Sequence, residues 1–263
     1  YDPRGMVSFF ERMQRANRLN EFKGAPSYLR THPLTVERIA DLQGRVENMA
    51  PRLVPDSFEY RLAKAKLRAI SGSANVQVAY FRSQLEDRTV VRPREDVYGL
   101  ALSLRRMREF AEAEKELATI RTGENAHPAF EWLAAQLQAD QGRREAALET
   151  YRTALKAHPG YRGLAYGLAE LLIESGRHAE AIALLDEKVR AMPEEAKLYE
   201  LQSRAHAATG NRLAQHRAQA EAYYRRGNLA AAVDQLLLAT RVPGTDYYEQ
   251  SMAEARLREL RSQ

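Results

Sequence analysis

Three glycines, Gly142, Gly176 and Gly210, stand 34 residues apart, and Pro159 and Pro193 keep the same step. Ala101, Ala135 and Ala169 repeat at this interval, as do Ala113, Ala147 and Ala181. A shared period in glycine, alanine and proline restricts the fold strongly, because each residue type has its own backbone or packing role. Small side chains at Ala135 and Ala147 let two helices of one unit approach closely, and Tyr151 or Leu185 fills the gap beside the next unit. Pro159 and Pro193 stop the second helix, since proline has no N–H to donate and its ring clashes with the preceding turn. The unit is therefore a pair of short helices, and the chain stacks copies of it.

Helix pairs repeating every 34 residues mark a tetratricopeptide (TPR) array. The fold class that follows is all-α, a TPR-type helical-repeat superhelix preceded by a short helical segment. The clear units are 94–127, 128–161 and 162–195, and a fourth starts near Ala196. Gly227 follows Gly210 by only 17 residues, half a repeat. The helix from about Arg212 to Arg226 thus closes one unit and opens the next. Asn228 to Thr240 completes that unit, with Ala232 and Leu236 in the expected places, and Val242-Pro243-Gly244 breaks it. A last charged amphipathic helix, Asp246 to Leu260, fits the polar cap that such arrays need. Upstream, Asp56 to Glu59 reads as a capping box opening a helix to about Ile70. A partner helix from about Ala74 to Glu86 carries Ala79, 34 residues before Ala113, and reads as a degenerate leading unit. The domain boundary is expected at Pro51 and Pro55: residues 1–55 form a helical tail, and 56–263 the TPR domain with its capping helix.

Composition excludes several function classes. The chain has no cysteine, so neither disulfides nor thiolate metal sites exist. No apolar run reaches the roughly 18 residues that span a bilayer. The chain opens on Tyr1 rather than Met and carries no secretory signal, which reads as a processed or excised form. Net charge is +5, and its placement is uneven. Between Arg61 and Arg94 eight basic residues, among them Arg61, Lys64 and Arg68, face only Glu86 and Asp87. The stretch is either a solvated helix face or a docking face for acidic protein, lipid head groups or nucleic acid. Stacking aromatics are sparse there, Tyr80 and Phe81 aside, so nucleic acid is not the expected partner.

The first fifty residues are not TPR. Asp2-Pro3 opens a helix whose Met6, Phe9, Phe10 and Met13 form one apolar face, and Val36, Ile39, Leu42, Val46 and Met49 form the stripe of a second helix. The run Tyr1 to Met13, then Ser27-Tyr-Leu-Arg-Thr-His-Pro33 and Arg38-Ile39, resembles the end of the catalytic domain in BepA-type zinc metalloproteases. These are bacterial periplasmic peptidases in which an HExxH domain precedes TPR repeats. The resemblance covers the whole chain and implies a periplasmic address, zinc in a longer protein, and outer-membrane assembly machinery as partner or substrate. In that family two histidines one helical turn apart, plus a glutamate base, hold and activate the zinc-bound water. None of the six histidines here begins an HExxH, and the third ligand, a glutamate, would lie before Tyr1. This chain alone is therefore expected to hold no catalytic zinc and to cleave nothing. The resemblance ties His32 to the active site, in a His-Pro loop over the metal where its imidazole ligates zinc or swings away. By the same resemblance Arg38 orients groups near the metal. The competing readings are an ordinary loop histidine and a surface ion pair. His127-Pro128 and His158-Pro159 sit at repeat junctions and read as turn punctuation, and His178 as a solvated turn residue.

In a TPR array the first helix of each unit lines the binding wall. Tyr98, Trp132 and Tyr166 occupy one place in three successive first helices, and Leu102, Gln136 and Glu170 stand one turn on. Such a ladder suits an extended or helical peptide, since aromatic rings bury large area at small entropy cost. Burial between helices is the alternative. TPR domains that clamp a C-terminal carboxylate carry lysine and asparagine at these places, which are absent here. The sequence therefore points to the interaction region of a longer metalloprotease, with a free-standing TPR adaptor as the alternative from another class.

Overall fold

The computed structural model describes residues 4–17, 36–47, 49, 55–86, 92–121, 127–244 and 246–262. Among them there are fourteen α-helices and no strand. The chain divides into two compact units, Tyr1–Arg61 and Leu62–Gln263.

The first unit holds α1 (Arg4–Asn17) and α2 (Val36–Glu47), which pack on each other. Gln43 Nε2 donates to Glu11 Oε1 at 3.3 Å, and Ile39 and Val46 are buried. Met49, expected in the buried stripe of the second helix, lies past the end of α2 and is about half exposed, as are Met6 and Phe9 on the apolar face of α1. The Asp2 cap, Pro3, the segment Ser27 to Pro33 with His32, and the side chain of Arg38 lie outside the described residues.

The division falls inside α3 (Phe58–Ile70), a few residues after the expected prolines. Leu62, Ala65 and Ala69 of this helix are buried. Its cap is Ser57 rather than Asp56: Ser57 Oγ accepts from the Tyr60 N–H at 3.1 Å. The next helix, α4 (Ala74–Glu86), buries Val78, Phe81 and Leu85 but leaves Ala79 exposed. Ala79 is therefore not the counterpart of Ala113. The Phe81 ring is inward instead, against Gly99, where any Cβ would stand 2.3 Å from the ring.

Four helix pairs then follow the period: α5 (Arg94–Arg106) with α6 (Phe110–Ala118), α7 (Pro128–Asp140) with α8 (Arg144–Ala157), α9 (Arg162–Glu174) with α10 (His178–Ala191), and α11 (Ala196–Ala208) with α12 (Arg212–Arg225). Capping explains several starts. His127 Nδ1 accepts from Ala129 N at 3.2 Å with Pro128 at the first helical position, and Asn211 Oδ1 accepts from Ala214 N at 3.1 Å. His127-Pro128 is thus a working helix cap as well as a junction.

One turn closes every pair. Gly142, Gly176 and Gly210 take φ of 78°, 74° and 74°, a left-handed conformation in which a side chain is strained. The residue after each donates back to the carbonyl five places earlier, as in Arg143 N to Gln138 O at 2.9 Å. The α5–α6 turn repeats this bond, Glu109 N to Leu104 O at 3.0 Å, but puts Arg108 at φ 65° where the other units have glycine. The left-handed region costs a residue with a Cβ about 1–2 kcal/mol. Arg108→Gly is accordingly expected to raise the thermal midpoint by about 2–4 °C, roughly 1 kcal/mol in a unit of this size. A calorimetric midpoint that stays put or falls would mean the Arg108–Phe110 contact, 5.9 Å from guanidinium to ring, outweighs the strain.

Past Gly210 the array shifts by half a unit. Gly227, at φ 75°, turns α12 into α13 (Leu229–Ala239), and α12 packs against both α11 and α13. The last helix, α14 (Tyr247–Arg261), packs on α13 and α12. The core follows this division: one cluster runs from Ala135 to Ala205, and a second joins Ala220, Ala232 and Leu236 to Leu257 and Leu260. Successive units are also tied by ion pairs about one repeat apart in sequence: Arg105 to Asp140 at 2.5 Å, Arg152 to Glu180 at 2.9 Å, and Arg177 to Glu145 at 3.1 Å. The last two are partly solvated and worth at most about 1 kcal/mol each, so they align units that the apolar core holds together.

Candidate functional site

The structure splits the aromatic ladder. Tyr98 is 0% exposed and Leu102 2%, so the first rung is core. The Tyr98 ring lies 5.8 Å from Phe130, and burial pushes its phenol far above the ordinary range. The cause is that Phe130 of α7 stands against the ring while α4 packs along α5. Arg106 donates to Ala69 O at 2.6 Å and Gly72 O at 2.8 Å, capping the end of α3 against α5. Sequence periodicity could not show this, because equal spacing does not record which side chains cover a position.

The other two rungs remain at the surface. Trp132 and Tyr166 are half-buried, each with an edge in the core. The Lys66 ammonium stands 4.8 Å over the Trp132 ring, and burial lowers its pKa. One turn on, Gln136 donates to the Tyr151 hydroxyl and accepts from Arg105 Nη2 at 2.8 Å. Glu170 pairs with Lys197 at 3.1 Å, and Tyr166 bonds Glu195, itself held by Arg162. These side chains are thus held in place by their neighbours.

The basic stretch is largely engaged within the chain. Arg82 pairs with Glu112 at 2.7 Å and Arg92 with Glu116 at 2.6 Å. On α3, Arg68 stacks 3.4 Å from the Tyr80 ring centre, Arg61 donates to Asp56 O at 2.7 Å, and Lys64 is exposed. Arg88 lies outside the described residues. Sequence reading missed these partners because α6 supplies two of them from more than twenty residues away.

A groove of about 730 Å³, which the period did not reveal, opens among α10, α11, α12 and α14. Asp186, Gln202, His206, Arg217, Glu249 and Arg256 line it. His206 keeps its pKa below the usual value, chiefly through burial, and its Nδ1 is buried without a hydrogen-bond partner. Among the described residues no group of three or more histidine, aspartate or glutamate side chains could hold a metal, and no helix is long and apolar enough to cross a membrane.

Paired helices and shared turns define a TPR-type repeat protein, and the tetratricopeptide repeat family model matches residues 138–205. Along 99% of its length the chain is similar to the beta-barrel assembly-enhancing proteases, so it is a BepA-like, TPR-containing protein. Identity is 28% with the Escherichia coli K12 protein and 26% with that of Yersinia pestis. The chain spans about half of those relatives, 53% and 54% of their lengths. A tetratricopeptide repeat protein from Parabacteroides merdae superposes with a TM-score of 0.48 at 14% identity, covering 78% of this chain and 87% of that one.

Proposed function

We propose that this chain is the recruiting region of a longer periplasmic zinc metalloprotease, gripping outer-membrane assembly partners or substrates on the wall of its first helices. The observation that carries the reading is the pair Trp132 and Tyr166: large half-buried rings at one place in successive units, one turn before the fixed Gln136 and Glu170. Similarity to proteases named for β-barrel assembly supports the choice of partner. Trp132→Ala should weaken binding to a purified β-barrel assembly complex by at least about tenfold, with helical circular dichroism unchanged, because a central aromatic anchor carries about 2 kcal/mol or more. Equal affinity would clear the wall of this role, and lost helicity would make Trp132 a core residue.

The domains divide the work: residues 1–55 close the protease part and 56–263 recruit. In the longer protein His32 would face the metal and gate it, supported by Arg38. His32→Ala there should raise proteolysis or alter zinc content, and unchanged values of both would remove the gate. A free-standing adaptor is the other reading, and it predicts no HExxH encoded upstream of Tyr1.

A further inference from the structure

The wall of first helices leaves the groove among α10, α11, α12 and α14 unused. We infer that this groove takes a lysine- or arginine-bearing segment of a protein partner, with its cation set against Asp186. The inference rests on the recruiting role but concerns a second surface, formed where the array shifts by half a unit and α14 packs on α12 and α13.

Volume comes first: about 730 Å³ is room for several side chains of a passing segment. Charge decides which segment. The groove carries four carboxylates, Asp186, Glu221, Glu249 and Glu259, against the guanidiniums of Arg217 and Arg256. Both guanidiniums are committed. Arg217 pairs with Glu249, while Arg256 holds Glu221 at 2.7 and 3.0 Å and Glu259 at 2.7 Å. Asp186 is different, since its partner among the described residues is the neutral amide of Gln202, at 2.6 Å.

Its negative charge is therefore not balanced locally. Burial lowers the pKa of neighbouring His206, which disfavours the charged form that could serve as counter-charge. Between these groups lie Leu236, Met252 and Ala255, an apolar floor that fits the aliphatic stem of a lysine or arginine whose head reaches the carboxylate. An acidic segment or a nucleic acid would meet the excess of carboxylates instead.

The test uses the whole chain and two labelled peptides, one alternating lysine with alanine and one alternating glutamate with alanine, followed by fluorescence anisotropy at low salt. The lysine peptide should bind and the glutamate peptide should not. Asp186→Asn should weaken the lysine peptide about tenfold, the loss of one charge-assisted contact. Asp186→Glu, which keeps the charge, should stay within a few-fold, and unchanged circular dichroism checks that both variants fold. Trp132→Ala should leave this binding intact. Failure of the lysine peptide to bind, equal binding by Asp186→Asn, or equal binding of the glutamate peptide overturns the inference. If Trp132→Ala abolishes capture of the assembly complex while Asp186→Asn leaves the lysine peptide untouched, the recruiting role stands and the groove inference falls.

Discussion

Gly167→Ala is expected to lower the thermal midpoint by about 6–12 °C, the equivalent of roughly 3 kcal/mol in a unit of some two hundred residues. A methyl group there would stand 2.4 Å from the Tyr151 hydroxyl and 2.5 Å from its ring, far inside contact distance. The ring has little room to retreat. It is 1% exposed, and its hydroxyl accepts from Gln136, which Arg105 holds in turn. The repeat indicates how this pair arose. The columns that hold Tyr151 and Gly167 hold Leu117 and Leu133 one unit earlier, and Leu185 and Leu201 one unit later, all four leucines buried. A large residue in one helix is matched by none in the next. Tyr151→Leu with Gly167→Leu should therefore cost much less together than the two changes do separately, a coupling that a double-mutant cycle on midpoints reads directly. Strictly additive losses would show that the two positions are independent.

Leu236→Ala should do local rather than global damage. Leu236 is 1% exposed at the centre of the second core cluster, with Ala220, Ala232, Leu257 and Leu260 around it. Truncating such a leucine costs about 2–5 kcal/mol. In a repeat protein that loss falls on one unit and its nearest neighbours. Hydrogen exchange is expected to quicken in α13 and α14 while the amides of α7 to α10, which belong to the other cluster, keep their protection. A uniform rise in exchange along the array would show that the half-unit shift does not divide its cooperativity.

The period by itself determined much of this protein. Gly142, Gly176 and Gly210 name the turns, because a left-handed backbone position selects glycine whatever surrounds it. The alanine columns name buried helix faces, and Ala101, Ala113, Ala135, Ala147, Ala169 and Ala181 are all inside. The half-repeat step at Gly227 announced the shift of α12. These are consequences of local spacing, and local spacing is what a sequence displays.

Tertiary structure alone decided which repeated positions a partner can reach. Tyr98, Trp132 and Tyr166 are equivalent in spacing, yet Phe130 stands against the first ring and α4 packs along its helix, so Tyr98 is core. Ala79 sits in step with the alanine columns and is exposed, because the Phe81 ring fills the space that Gly99 leaves. The charge of the basic stretch was legible, but its partners Glu112 and Glu116 come from α6. Exposure and charge balance depend on which distant helix lies alongside, and a periodic pattern carries no record of neighbours that fall outside the period.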